Sequence, residues 1–569
     1  MTPNGRWVAF LKRVGGGVTQ VWRASADGTK SEQVTRSLVD VDDFAWTDDG
    51  AGVITKSRPG LADAVAAIQR EGLSGHHFDA RSVPMASSVP MPAAPIEEAY
   101  LVTEPGAADP RSATPIEARK VGALLQPGLP PDAIAGAVST GGSVAWSWAK
   151  DPSYYASATN LAVRLSNGRV IQCAGPGCDD RVIGAWWDSG GTELRYLSVG
   201  GWAQSVLTLY RWRVGKAQPK PVLVTNDILA DCKALVDDLM CVQEGSLQPR
   251  RIIKLNPVSG VITPLYDPNP EFQNLDLGTV ERLHWKNDEG LETIGDLVLP
   301  PSHRPGQRHP LIVVQYTTRG FLRGGTGDEY PIQLFANHGF AVLSFQRPEP
   351  FYTTLAHIDT STERQKVELE GWKDRRSVQS SLQHGVQIAI DQGVVDPTKL
   401  GITGQSDGAS TAIFALLHDN KFSVASLSSC CEDPVSAATM VGPSEAVKRR
   451  QRGWPGVTED KPDFWRGFSL ARNAETVSTP ILLQLSEDEY LVSLETYTAL
   501  TEYDQPVDMF VFPGENHVKW QPAHRRALYQ RNLDWFDFWL KAVEDPDPKK
   551  REQYIRWREM RTRQTTLPR

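Results

Sequence analysis

The sequence lacks any run of about 18 consecutive apolar residues, so no transmembrane helix is expected. It also lacks an excess of positive charge. Lys and Arg number 60 against 68 Asp and Glu, a net charge of −8. That balance excludes non-specific binding to nucleic acid or anionic membranes, both of which need a basic surface. The opening MTPNGRWVAF has neither the basic head nor the long apolar run of a signal peptide. It reads as a turn at Pro3-Asn4-Gly5 feeding a strand, which fits a cytoplasmic protein or a mature or truncated periplasmic one. No cysteine pair lies near a histidine or second pair at zinc-ligand spacing, so no metal is expected. What remains is a globular composition, 40% hydrophobic and 22% charged over 569 residues, enough for two to four domains.

Residues 1–278 read as all-β, with short alternating strands parted by Gly, Asp, Asn and Pro turns. A glycine turn beside a hydrophobic or aromatic strand recurs at Gly5, Gly50, Gly142 and Gly191, with separations of 45, 92 and 49. A period of roughly 45 residues is the size of a four-stranded propeller blade, and Asp238 marks a further repeat. Counting 92 as two units gives about six blades' worth of sequence, and the ring is expected to be incomplete at its amino end. The Pro/Ala-rich stretch at 84–130 is expected to be an extended loop. Cys173/Cys178 and Cys232/Cys241 have spacings that suit either local disulfides or buried thiols. Cys430 and Cys431 are expected to be two packed thiols with no catalytic role.

From 279 to 569 the pattern changes to strands alternating with helices, the signature of a doubly wound α/β sheet. Leu311–Tyr316 is an uninterrupted apolar strand of the buried kind. At the end of the strand Leu400–Thr403 stands Gly404-Gln405-Ser406-Asp407-Gly408, a G-x-S-x-G elbow set between an apolar strand and an apolar helix. Its glycines allow the sharp turn that projects a nucleophilic serine at a helix amino end, where the dipole favours a developing anion. In this fold the order is serine, acid, histidine. After Ser406 come His418, His517 and His524; only His517 lies in a loop just after a strand, Asp508–Phe512. The acid should follow Ile481–Leu485, where Glu487, Asp488 and Glu489 all qualify and composition slightly favours Asp488.

These residues resemble the prolyl oligopeptidase family of serine peptidases, which pair a β-propeller with an α/β-hydrolase domain. The likeness is most specific at Gly404–Gly408, at Val511–His517 and at Arg531–Phe536. Aligning Pro480 and Val492 on the family's acid segment places Glu489 at the acid position. Leu485-Ser486 there replaces the family's His-Gly. The resemblance further implies that the Tyr316 hydroxyl and the Asp407 backbone N–H form the oxyanion hole, and that no cofactor is needed. The glutamate, the turn Tyr316-Thr317-Thr318-Arg319-Gly320 and Ser428–Asp433 are similar to one branch, the lasso peptide isopeptidases. Membership of that branch implies a threaded peptide substrate whose macrolactam isopeptide bond is hydrolysed through an acyl-enzyme. Two alternatives stay open: a general oligopeptidase or dipeptidyl/acylaminoacyl peptidase, and a propeller binding module with an inactive hydrolase domain.

Overall fold

The structure, a computed structural model, describes the chain except residues 1, 3–4, 94, 107–108, 123–127, 155, 356–357, 359 and 567–569. The expected turn at Pro3-Asn4 therefore lies outside the described residues. The chain forms two compact units, residues 1–83 with 87–127, and residues 84–86 with 128–569.

The first unit carries two antiparallel sheets, one of three strands within Trp7–Gln33 and one of four within Val41–Ser112. The second carries three more of four strands each, within Ala135–Gln172, Arg181–Thr225 and Ile228–Tyr266. All are meanders in chain order, the blades of a β-propeller region. The glycine markers fall where hairpins need them: Gly50, Gly142 and Gly191 all have positive φ (67°, 80° and 63°). Each sits between the first two strands of its sheet, as do Val236 and Asp237 in the fifth.

Among the described residues five sheets, not six blades' worth, occupy this region. The interval of 92 is a single repeat lengthened by insertions, among them the helix Gly60–Gly72 between the sheet's second and third strands. The segment expected as a loop at 84–130 also holds that sheet's last two strands, Ala99–Thr103 and Arg111–Ser112. A helical turn at Pro115–Ala118 follows, capped reciprocally by Thr114 and Glu117. Cys173–Cys178 and Cys232–Cys241 are bonded. So are Cys430 and Cys431, which corrects the expectation of two packed thiols.

An eight-stranded sheet dominates the rest of the second unit: β1 (Thr279–Lys286), β2 (Glu292–Leu299), β3 (His309–Val314), β4 (Ala341–Phe345), β5 (Val395–Gln405), β6 (Val424–Ser428), β7 (Ile481–Ser486) and β8 (Val507–Phe512). Its spatial order is β1-β2-β4-β3-β5-β6-β7-β8. The β1–β2 and β2–β4 pairs are antiparallel and the others parallel. Alternation along each strand feeds two cores. Leu311 and Val313 pack on one face with Val378, Leu382 and Val386 of helix α1 (Lys373–Asp391). Ile312 and Val314 pack on the other with Trp535 and Phe536. Those two close helix α3 (Pro522–Phe536), while helix α2 (Asp407–His418) follows β5. A last helix, Arg551–Thr566, adds Tyr554 and Trp557 to the second core. Its mostly polar sequence hides the few residues it buries, so no sequence pattern announces it. Among the described residues no helix is long and apolar enough to cross a membrane.

Candidate active site

Ser406 joins β5 to α2 in a backbone conformation that side chains rarely adopt, φ 59° and ψ −122°. The turn is possible because its flanks are bare. A Cβ on Gly404 would lie 2.1 Å from the Gly408 carbonyl oxygen, a contact no packing can relieve. A Cβ on Gly408 would come 3.2 Å from a ring carbon of Tyr316, so that glycine lets the tyrosine close on the elbow. Tyr316 follows β3, where its carbonyl accepts the Arg347 N–H at 2.9 Å and its N–H is 3.4 Å from Thr326 Oγ1. The Asp407 N–H belongs to the unsatisfied first turn of α2, where a developing anion is favoured.

The loop after β8 brings His517 to this elbow. Gln405 Nε2 donates to the His517 carbonyl at 3.0 Å, and Ser429 Oγ donates to the same oxygen at 3.2 Å. The ring's Nδ1 lies 2.6 Å from Glu489 Oε1. Of the three carboxylates after β7, then, Glu489 reaches the imidazole. Glu487 accepts the Gly514 N–H at 2.7 Å instead, and the ring's ion pair is with Glu489 rather than Asp488. No hydrogen bond joins the Ser406 hydroxyl to the imidazole here, as is common before substrate tightens a site. His418 is exposed and bound to the Gly467 carbonyl at 2.9 Å. His524 is engaged by Glu515 at 2.8 Å.

The Glu489 bond raises the His517 pKa above its ordinary value, against the opposing effects of burial and of Lys519. Burial would raise the Glu489 carboxyl, but the His517 hydrogen bond, with help from Ser429 and Lys519, holds it below the usual range. Nδ1 facing a carboxylate leaves Nε2 as the ring's proton acceptor. The pair can therefore take a proton from a hydroxyl and stabilise the resulting imidazolium.

On the other side of the elbow the Asp407 carboxylate sits between two guanidiniums. Arg347 Nη1 is 2.6 Å away and Arg375 is also paired with it, while Arg347 engages Asp374 as well. Burial alone would raise the Asp407 pKa; the two arginines outweigh it and keep the group well below the carboxylate range. Burial pushes nearby Glu349 and Glu368 up to about 7. Two further charged groups beside the histidine loop are fully buried. Fully buried Glu515 accepts the Trp520 and Gln521 N–H groups at 2.9 and 3.0 Å, folding the histidine loop into α3. Lys519 is fully buried beside Glu329. A Lys two residues past an expected loop histidine reads as solvated, so composition gave no hint. Among the described residues no group of three or more His, Cys, Asp or Glu is placed to hold a metal ion.

Residues 372–543 match the prolyl oligopeptidase family. The lasso peptide isopeptidase AtxE2 of Asticcacaulis excentricus is 38% identical over 567 residues, spanning 100% of this chain and 80% of the relative. A solved structure of AtxE2 isopeptidase, a serine-to-alanine variant with Astexin3-dC4 bound, is 37% identical and superposes with a TM-score of 0.91, covering 99% of this chain and 84% of that one. The acylaminoacyl peptidase of Pyrococcus horikoshii, 15% identical, has a TM-score of 0.59 over 97% of this chain and 89% of its own. At that identity it shares the fold alone.

Proposed function

This chain belongs to the prolyl oligopeptidase family, and on that premise we propose that it is a lasso peptide isopeptidase. Residues 279–569 form its α/β-hydrolase catalytic domain and residues 1–278 its propeller. The observation that carries the reading is the Glu489–His517 pair, held by Gln405 on the residue next to Ser406. The substrate class follows from the full-length similarity to AtxE2.

His517 removes the Ser406 proton as Oγ attacks the side-chain carbonyl of the isopeptide, and Glu489 holds the ring and its positive charge. The Tyr316 hydroxyl and the Asp407 N–H receive the oxyanion. Collapse of the tetrahedral species breaks the C–N bond, and His517 passes its proton to the departing amine. Water, deprotonated by the same ring, then hydrolyses the ester and returns Ser406 to its starting state. The product is the peptide with its ring opened, heavier by one water. Three bonded cysteine pairs suit an oxidising compartment, the periplasm rather than the cytoplasm.

Mass spectrometry of a threaded lasso peptide incubated with the protein tests this directly. The expected result is addition of one water, abolished by Ser406→Ala together with fluorophosphonate labelling. Equal turnover of an unthreaded linear control, or faster cleavage of proline p-nitroanilides, would mark a general oligopeptidase instead. Absence of labelling in the unsubstituted protein would mark an inactive hydrolase domain.

A further inference from the structure

Lys519, two residues beyond His517, is fully buried, and its ammonium lies 3.0 Å from Glu329 Oε1 and also meets the Ser428 hydroxyl. Glu329 is itself only 2% exposed. Taking an ammonium and a carboxylate out of water together seldom adds stability over apolar packing of the same volume. The placement suggests another role, because Lys519, Glu329 and Ser428 belong to the three segments that build the site. Ser428 ends β6, and its carbonyl accepts the Ser406 N–H at 3.1 Å. Glu329 stands in the segment between β3 and β4 that begins at Gln315 and carries Tyr316. The next residue, Tyr330, donates to the Gly404 carbonyl at 2.7 Å. Lys519 lies in the histidine loop, and its carbonyl accepts from Arg525 Nε at 2.8 Å.

We propose that the Lys519–Glu329 pair is a positioning device that fixes the His517 loop against the serine and tyrosine segments and balances the charge acting on the imidazole. The inference rests on the triad assigned above. The charged groups facing His517 are Glu489 from the loop after β7, Lys519 on its own loop and Glu329 from the β3–β4 segment. Glu487 and Asp488 lie beside Glu489, Arg525 lies on α3, and Asp407, Arg347, Arg375 and Glu368 lie on the far side of the elbow. Within this set Lys519 disfavours the imidazolium and Glu329 favours it. Removing either alone leaves the other uncompensated, so the two substitutions act on the ring with opposite sign.

The test is the pH profile of kcat/KM for opening a threaded lasso peptide by the full chain and its K519M and E329Q variants, with fluorophosphonate labelling rates as a second readout. Both variants should lose more than about tenfold in kcat with KM changed by no more than about twofold, because positioning acts on the reacting geometry. The acid limb should move up in K519M and down in E329Q, each by on the order of half a pH unit. Limbs that stay in place in both variants, or that move the same way, overturn the proposal. Should K519M fail to fold, the isosteric E329Q decides alone, and an unmoved limb there overturns it. An unsubstituted chain that is not labelled at Ser406 removes the triad reading and this inference together. Normal labelling with unmoved limbs removes the inference only.

Discussion

On one side of Ser406 a carboxylate, Asp407, lies between two guanidiniums that keep their charge at every accessible pH. On the other side a carboxylate faces an imidazole whose charge is meant to change. Both sides are ion pairs at the same elbow, yet the first is built from groups that hold protons fixed and the second from groups that exchange them. The Arg347–Asp407–Arg375–Asp374 cluster is largely enclosed, whereas the His517 side chain is 49% exposed. Fixed charge secures the backbone that presents the Asp407 N–H. Titratable charge, left open to solvent on one face, is what the proposed proton transfer requires. The site thus separates rigidity from reactivity across a single residue.

The largest expected effect breaks the reactive side. Glu489→Gln should lower kcat by about 10³–10⁴-fold, since an amide fails to hold the required tautomer and to stabilise the cation. Asp488→Asn, one residue away and off the ring, should stay within about twofold of the parent, so steady-state kinetics on the two separates the acid from its neighbour. Tyr316→Phe should follow, at about 10²–10³-fold in kcat with KM little changed, the usual cost of one oxyanion donor. Arg375→Met attacks the fixed side and should act on stability first. Leaving Asp407 with one guanidinium is expected to cost about 3 kcal/mol, read as a lowered thermal midpoint of the catalytic half.

How far the sequence carries this comparison differs between the two sides. The elbow, the alternation of strands with helices and the position of His517 are written in local patterns. Apolar runs mark buried parallel strands, bare glycines mark the turn, and a loop after a strand marks the histidine. Glu489 was less legible, because Glu487, Asp488 and Glu489 are equally able carboxylates until the backbone aims one of them. The fixed cluster was not legible at all. Arg347, Asp374 and Arg375 lie far from Asp407 in the chain, and no periodicity reports a pairing made by tertiary contact. The blade count differs for a related reason: insertions, among them the helix Gly60–Gly72, double one interval, and spacing alone cannot tell an insertion from a missing repeat.

The smallest expected effect concerns pH and sharpens the contrast. His517 has a raised pKa in the folded protein, chiefly through Glu489. Its contribution to stability is therefore complete below the unfolded value of about 6.5 and is lost as pH rises through the folded one. Glu489 has a lowered pKa, so its contribution is present above its unfolded value and fades only as pH falls through the folded one. The pair is tightest between these limits. With the ring half exposed and solvent-screened, the loss above neutrality should stay under about 1 kcal/mol. Activity runs the other way, because a base must be unprotonated, so kcat/KM should climb with an acid limb above about 6.5. Thermal midpoints and kcat/KM measured over the same pH series should thus cross in trend, the protein gaining turnover as the Glu489–His517 tie weakens. The Asp407 cluster predicts no such trade, since, against burial, Arg375 and Arg347 hold its carboxyl well below the carboxylate range. A Glu489→Gln protein should lose the pH-dependent part of the midpoint that the pair supplies while keeping whatever Glu349 and Glu368, pushed up to about 7, contribute. If the midpoint's pH dependence is identical in the two proteins, the weakening tie is not its source and the division between fixed and titrating sides has been drawn in the wrong place.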